Sequence, residues 1–139
     1  MAAEKEGAVV TKGHDEGMKA AAALLEEFGL PPGLLPLEDV TEVGFVRATG
    51  YFWLAQRKKV EHRFRKIGKQ VSYDVDIAGY VRPRGIRRLK GVKAKELMLW
   101  PPVYEMAVDD DPPTGGKIHF KSLAGVTKTF PVDAFAAGQ

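Results

Sequence analysis

The sequence predicts a mainly β domain, an antiparallel barrel or sandwich carrying one N-terminal amphipathic helix, and three observations lead there. Apolar residues recur at helical spacing only near the start of the chain. Over 42–132 the rhythm is two, the spacing that buries one face of a strand. The 15 Gly and 9 Pro punctuate that region at short intervals, as a chain with many turns requires. With 139 residues, 45% of them hydrophobic, there is material for one sizeable core and not for two. Residues 1–14 are small, polar and aperiodic and are expected to form a flexible leader, leaving 15–139 as a single β-rich domain.

The helix is expected over 15–28, where Met18, Ala21, Ala22, Leu25 and Phe28 form an apolar stripe. Asp15 is the expected N-cap, Gly29 the expected left-handed closing residue, and Pro31-Pro32 forbids continuation. The connector Leu30-Pro31-Pro32-Gly33-Leu34-Leu35-Pro36 is apolar enough to lie across the core. Strands are then expected at 42–47 and 51–56, joined through Ala48-Thr49-Gly50 as a hairpin. Val60, His62 and Phe64 share one face of the next strand, and Val71, Tyr73, Val75 and Ile77 alternate through the one after it. The basic stretch holding Gly79, Pro83, Gly85 and Gly91 reads as short strands or turns. Leu97-Met98-Leu99-Trp100 is a continuous apolar run, expected where both faces are covered, and Pro101-Pro102 breaks the ladder before alternation resumes with a bend or bulge at Tyr104, Met106 and Val108. The acidic, Pro- and Gly-rich 109–116 is a turn by composition. Ile118 and Phe120 face inward in the strand after it, Gly125 turns the chain, and Phe135 anchors the tail beyond a last strand over 126–132.

Charge is distributed unevenly. Lys plus Arg against Asp plus Glu number 4 and 9 over 1–56, 14 and 3 over 57–95, and 3 and 6 over 96–139. A basic middle of this kind attracts an anionic surface if folding gathers it onto one side; dispersed over solvent faces, it only solubilises. With no cysteine, there is no disulfide, thiolate nucleophile or cysteine zinc site. The start of the chain lacks the order of a signal peptide, no apolar run approaches bilayer length, and neither a myristoyl nor a prenyl signal is present. An intracellular, cytoplasmic location is expected, with any membrane contact peripheral.

Catalytic and metal signals are poor. Ser72 and Ser122, the only serines, lie outside any nucleophile elbow, and Ser122 stands three residues from His119, which places the two on opposite faces of a strand. His14, His62 and His119 are too dispersed for a metal motif, Asp109-Asp110-Asp111 lacks EF-hand spacing, and Gly115-Gly116-Lys117 lacks the rest of a phosphate loop. No cofactor and no metal are expected. Tyr51-Phe52-Trp53 beside Arg57-Lys58-Lys59 has the ingredients of a base-stacking surface, but aromatics in a hairpin are packing residues first, so nucleic acid is not the expected partner.

Over 24–135 the chain resembles the plant domain-of-unknown-function 538 family. The residues that carry the resemblance are Leu30-Pro31-Pro32-Gly33-Leu34-Leu35-Pro36, Thr49-Gly50-Tyr51-Phe52-Trp53, Gly91-Val92-Lys93-Ala94-Lys95-Glu96-Leu97 with Trp100, and Thr129-Phe130-Pro131-Val132-Asp133-Ala134-Phe135. The resemblance implies a compact β-barrel-like fold with an N-terminal helix and a link to plant stress responses and growth. It also implies a likeness to lipid-binding bactericidal/permeability-increasing proteins and to proposed esterases. It carries over no catalytic set.

The function expected from residues and resemblance together is non-enzymatic binding of an apolar or amphipathic, lipid-like ligand. Trp53, Leu99 and Trp100 would hold the tail, and Arg82, Arg84, Arg87 and Arg88 would meet an anionic head. The alternative is weak carboxylic-ester hydrolysis by Ser72 or Ser122 with His62 or His119 and an acid such as Asp74 or Asp76.

Overall fold

One antiparallel sheet gathers every strand of the computed structural model, which describes residues 3–109, 116–122 and 125–136. The strands are β1 (Val9–Lys12), β2 (Val40–Val46), β3 (Tyr51–Gln56), β4 (Val60–Phe64), β5 (Lys69–Arg82), β6 (Gly85–Ala94), β7 (Val103–Val108), β8 (Lys117–Ser122) and β9 (Thr127–Pro131). Among the described residues a single α-helix, α1 (His14–Glu27), precedes β2, and short 3-10 turns occupy Ala3–Lys5 and Val132–Phe135. The neighbours run β1-β2-β3-β5-β6-β7-β8-β9, with β4 paired to β5 off that path. The fold is therefore mainly β, as its rhythm predicts, and the choice between barrel and sandwich resolves to one open sheet. Its buried face curls round one core, because a single apolar cluster includes residues of β2 through β8, α1 and the tail.

The helix ends as its sequence dictates. Gly29 has φ 73°, its N–H bonds Glu26 O at 3.1 Å and the Leu30 N–H bonds Leu25 O at 2.8 Å, a Schellman closure sealed by the buried side chains of Leu25 and Leu30. The start differs from expectation. Gly13 is the N-cap, without a side-chain cap, and Asp15 lies inside the first turn, where its charge still complements the helix dipole. Residues 9–12, read as part of a leader, form β1 against β2. Four residues are too few to reveal alternation, and pairing of Val9 with Phe45 and Thr11 with Val43 decides their conformation.

Three other expectations change. The basic stretch 79–91 is not broken into short pieces: it runs through the ends of the two longest strands, with the positive-φ residues Arg84 and Arg88 absorbing the turn and a bulge. Val75 does not alternate inward but is exposed, because Tyr73 pairs with Val92 whereas Ala78 pairs with Lys90, so β5 carries extra residues between them. Gly91, φ 90°, permits this bulge: a Cβ there would lie 2.3 Å from Asp76 O. Gln56 fixes it. Only 5% exposed, Gln56 donates from Nε2 to Tyr73 O at 3.0 Å and Asp74 O at 2.9 Å while its Oε1 accepts from the Glu38 N–H at 3.1 Å.

The third change is the largest. The run 97–100, expected under cover on both faces, opens with a turn that stands in water. Glu96 and Leu99 exchange both backbone hydrogen bonds at 2.9 Å, closing a two-residue hairpin loop with Leu97 and Met98 at its tip. Pro101 and Pro102 have no N–H to donate, so the segment cannot be drawn into a central ladder despite its hydrophobicity.

The connector between α1 and β2 joins the Val132–Phe135 segment to the core. Leu30, Leu34, Leu35 and Leu37 are buried, and Gly33 donates its N–H to Phe135 O at 2.9 Å. A Cβ on Gly33 would lie 2.4 Å from Ala136 O. Fully buried Tyr73, its phenol pushed well above the ordinary value by burial and so kept protonated, donates to Leu34 O at 3.0 Å. Phe135 packs against Phe64, Phe120 and Phe130 with ring centroids 4.6, 5.2 and 6.1 Å away. On the surface, Arg47 ties the end of α1 to β2 through two hydrogen bonds to Glu27 at 2.5 and 3.0 Å.

Replacing Gln56 by Leu leaves two carbonyls and one N–H without their partner, and urea unfolding should show a loss of about 1–3 kcal/mol; an unchanged midpoint would mean that the bulge is held by other contacts. Gly33→Ala and Phe135→Ala should each destabilise by about 3 kcal/mol. Because both release the same tail, the double variant should lose clearly less than the sum of the singles.

Candidate functional site

At the Ala94 end of β6 the sheet encloses an open cavity of about 540 Å³. The β6–β7 ladder is paired at Gly85–Ala107 and Ile86–Met106, and among the described residues its next bridge is the isolated Lys93–Pro102. Beside this interruption the loop that follows β6 passes over β8 and β9, the last strands of the sheet. Alternation supplies the walls. Phe120 and Ser122 of β8 and Lys128 and Phe130 of β9 point to one face, as the pairs Phe120–Lys128 and Ile118–Phe130 require. Val103, the cross-strand partner of Ser122, extends this wall, and Leu99 and Trp100 of the loop after β6 complete the lining. The rings of Phe120 and Phe130 meet edge to face at 5.5 Å, so this wall is rigid as well as apolar.

The polar groups are few and gathered. Lys69, at the start of β5, donates a hydrogen bond to Glu96 Oε1, and the Lys128 ammonium lies 3.7 Å from Glu96 Oε2. The hydrogen bond from Lys69 holds the Glu96 carboxyl below its ordinary range, helped by the charges of Lys69 and Lys128 and opposed by partial burial. Ser122 Oγ is buried in the wall and has no hydrogen-bond partner among the described residues. An apolar chamber thus carries, on its lining, two ammonium groups sharing one carboxylate and an unused hydroxyl. Trp100 also lines a smaller cavity of about 130 Å³ with Lys59, Ser72, Asp74 and Lys93, and the Lys95 ammonium stands 5.8 Å from its ring centroid.

Of the ligand residues expected from the sequence, Leu99 and Trp100 come together at the large cavity, while Trp53, Arg82, Arg84, Arg87 and Arg88 do not line it. Trp53 is a packing residue of the β2–β3 hairpin. It lies opposite Gly44, where a Cβ would come within 2.2 Å of the indole, and donates Nε1–H to Glu42 at 2.6 Å, with the Lys5 ammonium 4.5 Å over the ring. The four arginines cluster round the β5–β6 turn, at the opposite end of β6. There the Arg84 N–H bonds Phe28 O at 2.6 Å and the Arg88 guanidinium stands 5.9 Å from the Tyr80 ring centroid.

The candidate hydrolase residues are spread over both faces of the sheet. His62 lies opposite Val71 and Ser72 opposite Glu61, so His62 and Ser72 face opposite ways. Ser122 faces the cavity, whereas His119 lies on the other face, with Nε2 2.7 Å from Asp109 Oδ1 and Nδ1 2.8 Å from Thr129 Oγ1. Asp74 and Asp76 are exposed on the β5 bulge. Of the acidic cluster 109–111, Asp110 and Asp111 lie outside the described residues, as does Gly115 of the glycine pair. Among the described residues no group of three His, Cys, Asp or Glu is placed to hold a metal, and no helix is long and apolar enough to cross a membrane.

Sequence reasoning missed Lys69, Glu96, Lys128 and Phe130. The period of β8 and β9 could have placed Phe130 and Lys128 on the face of Phe120 and Ser122, but no local signal joins Lys69 to Glu96. Neither the curated proteins nor the solved structures hold a match to this chain. The family model described as "Protein of unknown function, DUF538" matches residues 21–136, a span running from the middle of α1 through the tail and including every residue of the cavity. The chain therefore belongs to the DUF538 family.

Proposed function

We propose that this chain is a non-enzymatic binding domain for an amphipathic, lipid-like molecule, serving the stress- and growth-related roles to which its family resemblance points. The observation that carries the proposal is the cavity of about 540 Å³, with apolar walls and polar groups confined to Lys69, Glu96, Lys128 and Ser122. Its volume falls in the range of small-molecule sites, roughly 300–1,000 Å³, which are apolar with a few placed polar groups. The tail would lie among Trp100, Val103, Phe120 and Phe130. An anionic head would compete with Glu96 for Lys69 and Lys128 and accept a hydrogen bond from Ser122. The head-group role read from the sequence for the arginines thus passes to two lysines. Binding without turnover is favoured because Ser122 and His119 face opposite sides of the sheet.

A fluorescent fatty acid titrated into the folded protein should bind saturably, and Phe130→Ala and Trp100→Ala should each weaken it by about tenfold, the worth of burying a sizeable part of a ring against a chain. Lys128→Gln should weaken the acid but leave the corresponding alcohol little changed. No saturable binding by wild type would end the proposal. Ester turnover that vanishes in Ser72→Ala or Ser122→Ala would replace it with hydrolysis.

The Glu96 cluster also has a pH signature. Its carboxyl is depressed in the folded chain, so its contribution is complete above the ordinary carboxylate range and is lost as pH falls through the folded value. Thermal midpoints of wild type and Glu96→Gln should therefore differ by a constant amount near neutrality and converge in acid.

A further inference from the structure

Three consecutive large apolar side chains stand in water at one point of the surface: Leu97 is 90% exposed, Met98 88% and Leu99 72%. They form the two-residue turn after β6 and its following residue. Leu97 has φ 55°, the left-handed region where the first central residue of such a turn is ordinarily Gly or Asn. Solvent and backbone thus both argue against Leu at this position. Neither Leu97 nor Met98 lines the cavity, so the interior does not account for them.

The surroundings of the turn are cationic. Lys69 and Lys128 both reach Glu96, and Lys95 lies over Trp100, so three ammonium groups stand against one carboxylate. Exposed apolar side chains next to three Lys, with a Trp beside them, match the layers of a bilayer: acyl chains, interface and anionic headgroups. A protein partner fits this feature poorly. A protruding two-residue tip offers far less than the roughly 800 Å² per side of a stable protein interface.

We propose that the Leu97-Met98-Leu99 turn is a membrane-inserting tip that docks the protein on an anionic lipid bilayer. Because Leu99 belongs to both the tip and the cavity wall, docking sets the mouth of the cavity against the headgroups. The docking does not rest on the cavity holding a lipid, since Leu97 and Met98 are outside it.

The test is co-sedimentation of the full chain with sucrose-loaded vesicles of phosphatidylcholine, with and without phosphatidylserine. Wild type should sediment with the anionic vesicles and several-fold more weakly with the neutral ones. The double substitution Leu97→Asn with Met98→Ser adds no charge and suits the turn better. It should lower partition by at least about tenfold while leaving the thermal midpoint equal or higher and the fluorescent fatty acid titration unchanged. Met98→Ser alone, which leaves the backbone as it is, should lower partition in the same direction. The proposal is overturned if wild type does not sediment, if both variants sediment as wild type does, or if wild type self-associates in gel filtration and the double variant does not, which would give the tip to a second copy of the chain. Loss of vesicle binding with the titration intact separates this docking from the cavity reading.

Discussion

The segment between α1 and β2 is the constraint on which the rest of the structure depends. It buries four leucines, accepts the Tyr73 phenol at Leu34 O, and gives the Gly33 N–H to Phe135 O. The N–H groups of Leu30, Gly33, Leu34 and Leu37 all find backbone acceptors, which lowers the cost of burying an irregular, proline-rich segment. Through Phe135 the crossing is joined to Phe120 and Phe130, and these two rings form a wall of the cavity. The site is therefore held by contacts that span the whole chain.

The fold was largely legible in the sequence because its signals are local. Period two located β2 to β5 and β8, Gly29 closed α1 as its lack of Cβ allows, and the Ile118 and Phe120 alternation placed the correct face inward. What failed depended on pairing or on excess residues. Val9–Lys12 became a strand because β2 offered an edge, and Val75 turned outward because β5 bulges opposite Gly91. Hydrophobicity misled at 97–100, where chain geometry set by Glu96, Leu99 and two prolines overrode it.

The site was legible only in part. Leu99 and Trp100, read from one apolar run, do line the cavity, but Leu99 is exposed at its mouth rather than enclosed as that run suggested. Trp53 and the arginines lie away from the cavity, because sequence shows side-chain type without showing which distant segments fold together. The Lys69–Glu96–Lys128 cluster joins β5, the turn and β9, and only tertiary structure brings those together.

The bond between Gly33 and Phe135 has a consequence for the order in which the protein is made. On a ribosome the helix, its leucine-rich crossing and the first strands emerge long before the aromatic residue that covers them. Until it is synthesised, that surface remains uncovered and open to chaperones or to neighbouring nascent chains. Distant contacts of this kind also make closure slow relative to helix formation, so the Val132–Phe135 turn acts as the latch of the domain.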